Sequence, residues 1–269
     1  MSDLIKRFKE CAAGKNEIAL CRLGQHSFLM KTKDKLIAFD PYLSESPKRL
    51  VKPLIKAEDL ADFDLIFGSH DHSDHIDRPQ LSRMAGGKAK FIFPEAVADS
   101  ITEILCNKII TMKGDDAIEF DGIKIYALPS AHEFLEKDSN GAYFSLGFAL
   151  KIDDVTVYHS GDCCVYEGLL TRLKKIAPDI MLLPINGRDA ERYKRNCIGN
   201  MTYQEAVDLA GLAETKIVIP AHYDMFEGNL ENPQLFIDYA EIKFPQITAR
   251  LLSPGEIVVF SISSVLNID

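Results

Sequence analysis

Ser69-His70-Asp71-His72-Ser73-Asp74-His75 sets three imidazoles and the Asp74 carboxylate within six residues, directly after the apolar stretch 65–68. That stretch reads as a short strand running into a loop. Side chains two apart on extended backbone project the same way, so His70 and His72 can grip one ion, while Asp74 and His75, past a turn, can grip a second. A single histidine is ordinarily a hydrogen-bonded side chain. Three clustered without a metal or anionic partners would each have polar edges to satisfy separately in a crowded place.

Outward from this loop the patterning is α/β. Upstream, residues 17–23, 27–32 and 35–40 are short apolar or β-branched runs parted by Gly24 and by the Lys33-Asp34 turn, a β-meander. Downstream come a helix at 78–84, a strand at 91–93 and, through Pro94, a helix over 95–106. Strands follow at 117–120, 123–128, 144–152 and 156–159, with Asp121-Gly122 and Asp153-Asp154 as turns. The order then becomes helix 166–176, strand 180–184, helix 203–214, strand 216–220, helix 233–244 and terminal strands. Thr202 with Glu205 is a capping box that fixes one helix start. No fixed-period repeat or Pro/Gly/Ser linker divides the chain, so residues 1–269 read as one domain: two packed mixed sheets with helices outside.

Composition narrows the function classes. With 31 Lys plus Arg against 40 Asp plus Glu, the net charge of −9 argues against broad nucleic-acid binding. No apolar run approaches the roughly 20 residues of a membrane span. The charged start (Asp3, Lys6, Arg7, Lys9, Glu10) lacks a signal peptide's apolar segment, so a cytoplasmic protein is expected. Six cysteines without a Cys-x-x-Cys pair read as reduced thiols. Cys163 and Cys164 adjoin Asp162, which leaves a ligand or redox role conceivable beside the structural one.

Three further ligand types also stand at strand ends: His132 after 123–128, Asp162 after His159-Ser160-Gly161, and His222 after 217–221. Converging strand ends are where α/β proteins build sites. The His-x-His-x-Asp-His run followed by these three residues in this order resembles the metallo-β-lactamase superfamily, over about residues 23–254. The resemblance implies a four-layer αβ/βα sandwich. It implies that His70, His72 and His132 hold one divalent ion, Asp74, His75 and His222 a second, and that Asp162 bridges them. Zn²⁺ or Mn²⁺ suits such ligands, and Fe does too. Two such ions generate a nucleophilic hydroxide and polarise the bond under attack, with Asp74 orienting the hydroxide and taking a proton. Asp74 and Asp162 are thus the catalytic carboxylates. Asp40, before Pro41, matches the superfamily's early aspartate that supports a ligand histidine, and it is nearly as readily a turn former. His26 is placed near the site mouth and His159 in the core.

His72 stands where the oxygen-reducing di-iron branch has Glu, which favours hydrolysis. The segments 69–77, 157–162 and 218–224 are similar to those of L-ascorbate-6-phosphate lactonase and its relatives, implying a small-molecule substrate, a phosphorylated sugar-acid lactone or similar small ester, and a homo-oligomer. Arg188, Arg192, Lys194 and Arg195 could bind such a phosphate, or form a solvated face that Asp189 and Glu191 partly neutralise. A phosphodiesterase or nuclease, or a metal-binding protein without catalysis, are the alternatives.

Overall fold

A computed structural model describes residues 1–262. The chain opens with α1 (Asp3–Glu10), β1 (Glu17–Gly24), β2 (Ser27–Lys31), β3 (Leu36–Phe39), β4 (Leu65–Phe67), α2 (Arg78–Met84), β5 (Lys90–Pro94), α3 (Glu95–Leu105) and β6 (Ile109–Met112). It continues with β7 (Asp116–Phe120), β8 (Ile123–Pro129), β9 (Leu146–Ile152), β10 (Val155–His159), α4 (Leu169–Ile176) and β11 (Ile180–Pro184). The last elements are α5 (Ala190–Lys194), α6 (Tyr203–Leu212), β12 (Ile217–Ala221), α7 (Pro233–Lys243), β13 (Thr248–Ala249) and β14 (Ile257–Ser261).

The strands form two seven-stranded sheets, in the orders β14-β1-β2-β3-β4-β5-β6 and β13-β12-β11-β10-β9-β8-β7. Each is mixed: β14 to β3 and β10 to β7 pair antiparallel, β3 to β6 and β10 to β13 parallel. Between the sheets lies a core contributed by both, including Phe28, Phe39 and Phe67 from one and Phe148, Leu150 and Leu182 from the other. The outer face of the first sheet is covered by apolar residues of α1, α2 and α3, that of the second by those of α4, α6 and α7. Parallel strands buried on both faces are read as continuous apolar runs, as in Ile180–Pro184 and Ile217–Ala221. The expected two-sheet α/β sandwich is the fold found.

Two expected boundaries shift for physical reasons, and two short elements were not expected. The helix expected from Tyr166 begins at Leu169, because Gly168 takes φ +92° at its N-cap. The strand expected from Phe144 begins at Leu146, since the Phe144 amide is bonded to the Glu136 carbonyl and the Ser145 carbonyl to the Ser130 amide. The short β6 and α5 had no expectation: four and five residues are too few to show a period.

Candidate metal centre

Every ligand-type residue of the sequence analysis lies in a loop that leaves the C-terminal end of a strand: Asp40 after β3, His70 to His75 after β4, His132 after β8, Asp162 after β10 and His222 after β12. The β4 loop can turn there because Gly68 has no side chain; a Cβ would sit 2.3 Å from the Phe93 ring. The loop then winds tightly, with the amides of His75 and Ile76 both bonded to the His72 carbonyl at 3.0 and 2.8 Å. Ser130 locks two of the loops together, its hydroxyl donating to the carbonyls of Ser160 (2.9 Å) and Asp162 (2.8 Å). Gly161 at φ +60° packs directly on Ser69, joining the β10 loop to the β4 loop.

Of the three groups that the described side chains form, two match the expected ligand sets, and the third joins His26 to His75 and Asp162. In the first, His70, His72 and His132 bring ligand nitrogens within 4.8 Å of one another, with ring centroids 4.5 to 5.0 Å apart. In the second, Asp74, His75 and His222 do the same. Asp162 lies between them. Its Oδ2 is 3.0 Å from His222 Nε2 and 3.8 Å from His132 Nε2, and its Oδ1 is 3.3 Å from His75 Nε2. His75 Nε2 and Asp162 Oδ1 are buried without a hydrogen-bond partner among the described residues. Buried polar atoms facing one another at these separations are what a divalent cation would satisfy, and imidazole with carboxylate is a donor set that cations of the Zn²⁺, Mn²⁺ and Fe²⁺ type accept.

The electrostatics of His70, His132 and Asp162 agree with ligation. Burial, reinforced by the neighbouring His75, holds His70 well below the ordinary imidazole range, and burial drives His132 down to about 4, so both present neutral lone pairs at pH 7. Burial opposes ionisation of Asp162, but His222 and His75 outweigh it and hold the carboxyl well below its usual range. His75 shows the reverse sign: burial pulls it down, yet Asp162, Asp74 and Asp40 together raise it well above 6.5. Its Nδ1 donates to Asp40 Oδ2 at 2.6 Å, and that carboxylate also accepts from the Ser69 amide (2.8 Å) and hydroxyl (2.6 Å). Asp40 is therefore an orienting partner of His75, held at φ +44°.

Two histidines lie behind this cluster. His26, expected at the mouth, is instead fully buried, with Nδ1 3.6 Å from Asp162 Oδ1 and its ring 4.0 Å from that of His159. The tight β1–β2 turn folds it inward between the sheets. His159 is in the core as expected, stacked on Phe39 at 5.1 Å and donating from Nε2 to the His26 carbonyl at 2.8 Å. Burial lowers its pKa from 6.5 to about 3. The unfolded chain binds more protons in that window, so stability is complete above about pH 6.5 and is lost as pH falls towards 3. Thermal unfolding of metal-free protein should show Tm falling over this range, with a shallower slope for His159→Gln. An identical slope would assign the acid limb to other groups.

The cavity at the first group, about 380 Å³, is lined by His70, His72 and His132 together with Val97, Phe134, Phe144 and Ile198. Asp71, Asp99 and Glu136 also line it, and no Lys or Arg does among the described residues. Three of the four cations expected to bind phosphate are paired with carboxylates. Arg188 is held by both oxygens of Glu205 at 2.7 Å, Arg192 by Asp189, and Lys194 by Glu191. The two carboxylates three residues away, and the capping Glu205, offset three of its charges. Arg195 alone of the four lines a separate cavity, beside Lys48 and Phe226.

Sequence reading missed Arg22, Gln25 and Asp224. Fully buried Arg22 pairs with Asp224 Oδ2 at 2.6 Å, and Asp224 Oδ1 accepts from the Gln25 amide at 3.1 Å. The one available signal was a cation inside the apolar strand Glu17–Gly24.

The chain matches the family described as the Beta-lactamase superfamily domain over residues 36–223. It is 30% identical over 250 residues to a UPF0173 metal-dependent hydrolase of Methanosarcina mazei, covering 89% of this chain and 97% of that protein. A UPF0173 metal-dependent hydrolase of Pyrococcus horikoshii is 28% identical over 239 residues, 87% and 96% of the two chains. Among solved structures, a metallo hydrolase of the archaeon Ignicoccus hospitalis superposes with a TM-score of 0.73 at 25% identity, over 91% of this chain and 98% of that one. An isothiocyanate hydrolase from Delia radicum gut bacteria shares the fold, with a TM-score of 0.72 at 18% identity over 90% and 99%.

Proposed function

The chain belongs to the metallo-β-lactamase superfamily of metal-dependent hydrolases, and from that premise we propose that it hydrolyses a small lactone or similar small ester at a two-cation centre. The observation that carries this reading is Asp162, one carboxylate within reach of both histidine groups. His70, His72 and His132, and Asp74, His75 and His222, would each hold a cation, and the pair would supply Lewis acidity and lower the pKa of water towards neutrality. The protein's own part is positional. Asp162 fixes the spacing between the groups, Asp40 fixes the His75 tautomer, and Asp74, partly buried beside the cluster, is placed to accept a proton and pass it to the leaving oxygen.

The cavity composition shapes the substrate class. Val97, Phe134, Phe144 and Ile198 offer apolar contact, and Asp99 and Glu136 repel anions, Asp71 being paired with Arg78. An uncharged lactone fits this lining better than a phosphorylated one, since three of the four expected cationic partners are paired with carboxylates and the fourth, Arg195, lines a separate cavity. The same lining and the net charge of −9 disfavour a polyanionic nucleic-acid substrate.

Protein loaded with Zn²⁺ or Mn²⁺ should therefore turn over plain lactones with a kcat/KM at least about tenfold above that for their phosphorylated analogues, one charge-assisted contact being worth about that much. Preference for the phosphorylated analogue, or for a phosphodiester, would overturn the substrate class. No turnover of any ester by the metal-loaded protein would overturn the activity itself.

A further inference from the structure

The β1–β2 turn carries Gln25 into the second histidine group. Its backbone is fixed on both sides, the amide donating to Asp224 Oδ1 at 3.1 Å and the carbonyl accepting from the His222 amide at 2.9 Å. It is almost wholly buried and takes φ +52°, a conformation uncommon outside glycine and asparagine. Its side-chain amide then has one place to go: the atom assigned as Nε2 lies 2.7 Å from Asp74 Oδ2 and 2.9 Å from His222 Nε2.

These contacts cannot all be hydrogen bonds. His222 Nε2 faces both the Gln25 amide group at 2.9 Å and Asp162 Oδ2 at 3.0 Å. Carrying a proton, the nitrogen points a donor at the donor amide; lacking one, it points a lone pair at a carboxylate. A cation among these atoms removes the conflict for the imidazole and the carboxylates. Gln25 then has two arrangements of the same shape: Nε2 donating to Asp74 Oδ2 as assigned, or the amide turned over so that Oε1 faces the cation.

Ligand atoms about 2.0–2.2 Å from a common cation stand roughly 3–3.5 Å from one another. The second group shows separations of 3.0 Å (His222 to Asp162), 3.3 Å (His75 to Asp162), 3.6 Å (His75 to Asp74) and 3.8 Å (His222 to Asp74). The Gln25 amide atom stands next to this ring, at 2.7 and 2.9 Å from two of its members, closer than that spacing, so a cation shared with it would widen both separations.

We propose that Gln25 Oε1 is a further ligand of the cation held by Asp74, His75 and His222. The inference rests on a cation at the second group, as the hydrolase reading does, but its test reads metal binding and not turnover.

Gln25→Leu and Gln25→Glu proteins, stripped of metal, should be titrated with Zn²⁺ alone by calorimetry, with bound metal counted by elemental analysis. The leucine variant should bind its second equivalent about 10- to 100-fold more weakly than the native protein, the first equivalent being unchanged and reporting an intact fold. The glutamate variant, which offers a carboxylate oxygen from the same position, should bind the second equivalent at least as tightly as native. If glutamate loses the ion as leucine does, Gln25 serves as an N–H donor to Asp74 and the proposal is wrong. It is equally wrong if leucine binds both equivalents natively, or if the native protein takes up only one ion. Should the leucine variant fail to fold, the direction of the glutamate shift alone decides.

Discussion

Asp162→Ala should retain less than half of the native metal content and lose more than about 100-fold in kcat/KM. The bound on the rate follows from the 10- to 100-fold typically lost when a partner merely orients a ligand, since Asp162 contacts the centre itself. The carboxylate is buried, ionised, and set between His132, His222 and His75 at 3.8, 3.0 and 3.3 Å. Its removal leaves the imidazoles without the anion that offsets two cations, and leaves nothing to fix the distance between them. The neighbouring thiol is the control. Cys163 is buried, its pKa is pushed up to about 12 by that burial, and its Sγ lies 3.1 Å from the Cys164 carbonyl. It stays protonated and should be replaceable by alanine without loss of metal. Elemental analysis of both variants, followed by kinetics at matched metal content, separates the two roles; equal losses would make Cys163 a ligand.

Asp40→Ala should weaken metal binding at the second group about 10- to 100-fold and lower stability by about 1–3 kcal/mol. One carboxylate here satisfies the Ser69 amide, the Ser69 hydroxyl and His75 Nδ1. Alanine leaves the buried amide without its acceptor, which accounts for the stability term. It also frees the His75 ring, whose Nε2 faces the cluster only while Nδ1 is held. Asp40→Asn should separate the terms, since the oxygen of the new side-chain amide can still accept from the Ser69 amide while its NH₂ meets the Nδ1–H of His75. Stability measured by denaturant unfolding should recover in Asp40→Asn, and metal affinity should not. Native affinity in the alanine variant would reduce Asp40 to a turn former.

These two residues were not equally legible in the sequence. Asp162 could be read because it follows an apolar strand and a Ser-Gly turn, in order with the other ligand types. Asp40 carried the weaker signal of an aspartate before proline, which a turn explains as well. The strands themselves were read from apolar runs within one or two residues of their ends, and errors arose where a glycine or a loop hydrogen bond, rather than periodicity, set the boundary, as at Gly168 and Phe144.

Local sequence determined the elements, the loops at their ends and the ligand chemistry, because apolar period, turn residues and donor type are properties of neighbours along the chain. Three things depended on tertiary structure. Whether Arg188 stood unpaired or bonded to Glu205 depended on the close approach of two segments 17 residues apart, where a bidentate ion pair formed. Whether His26 stood at the mouth or beneath the site depended on which way a tight turn folds between two sheets. Gln25, an amide with no metal-binding pattern around it, came to the cluster only because His222 and Asp224, 197 and 199 residues away, hold its backbone from both sides. Long-range pairing of this kind leaves no mark on the local composition, since either partner alone is an ordinary polar residue in a turn.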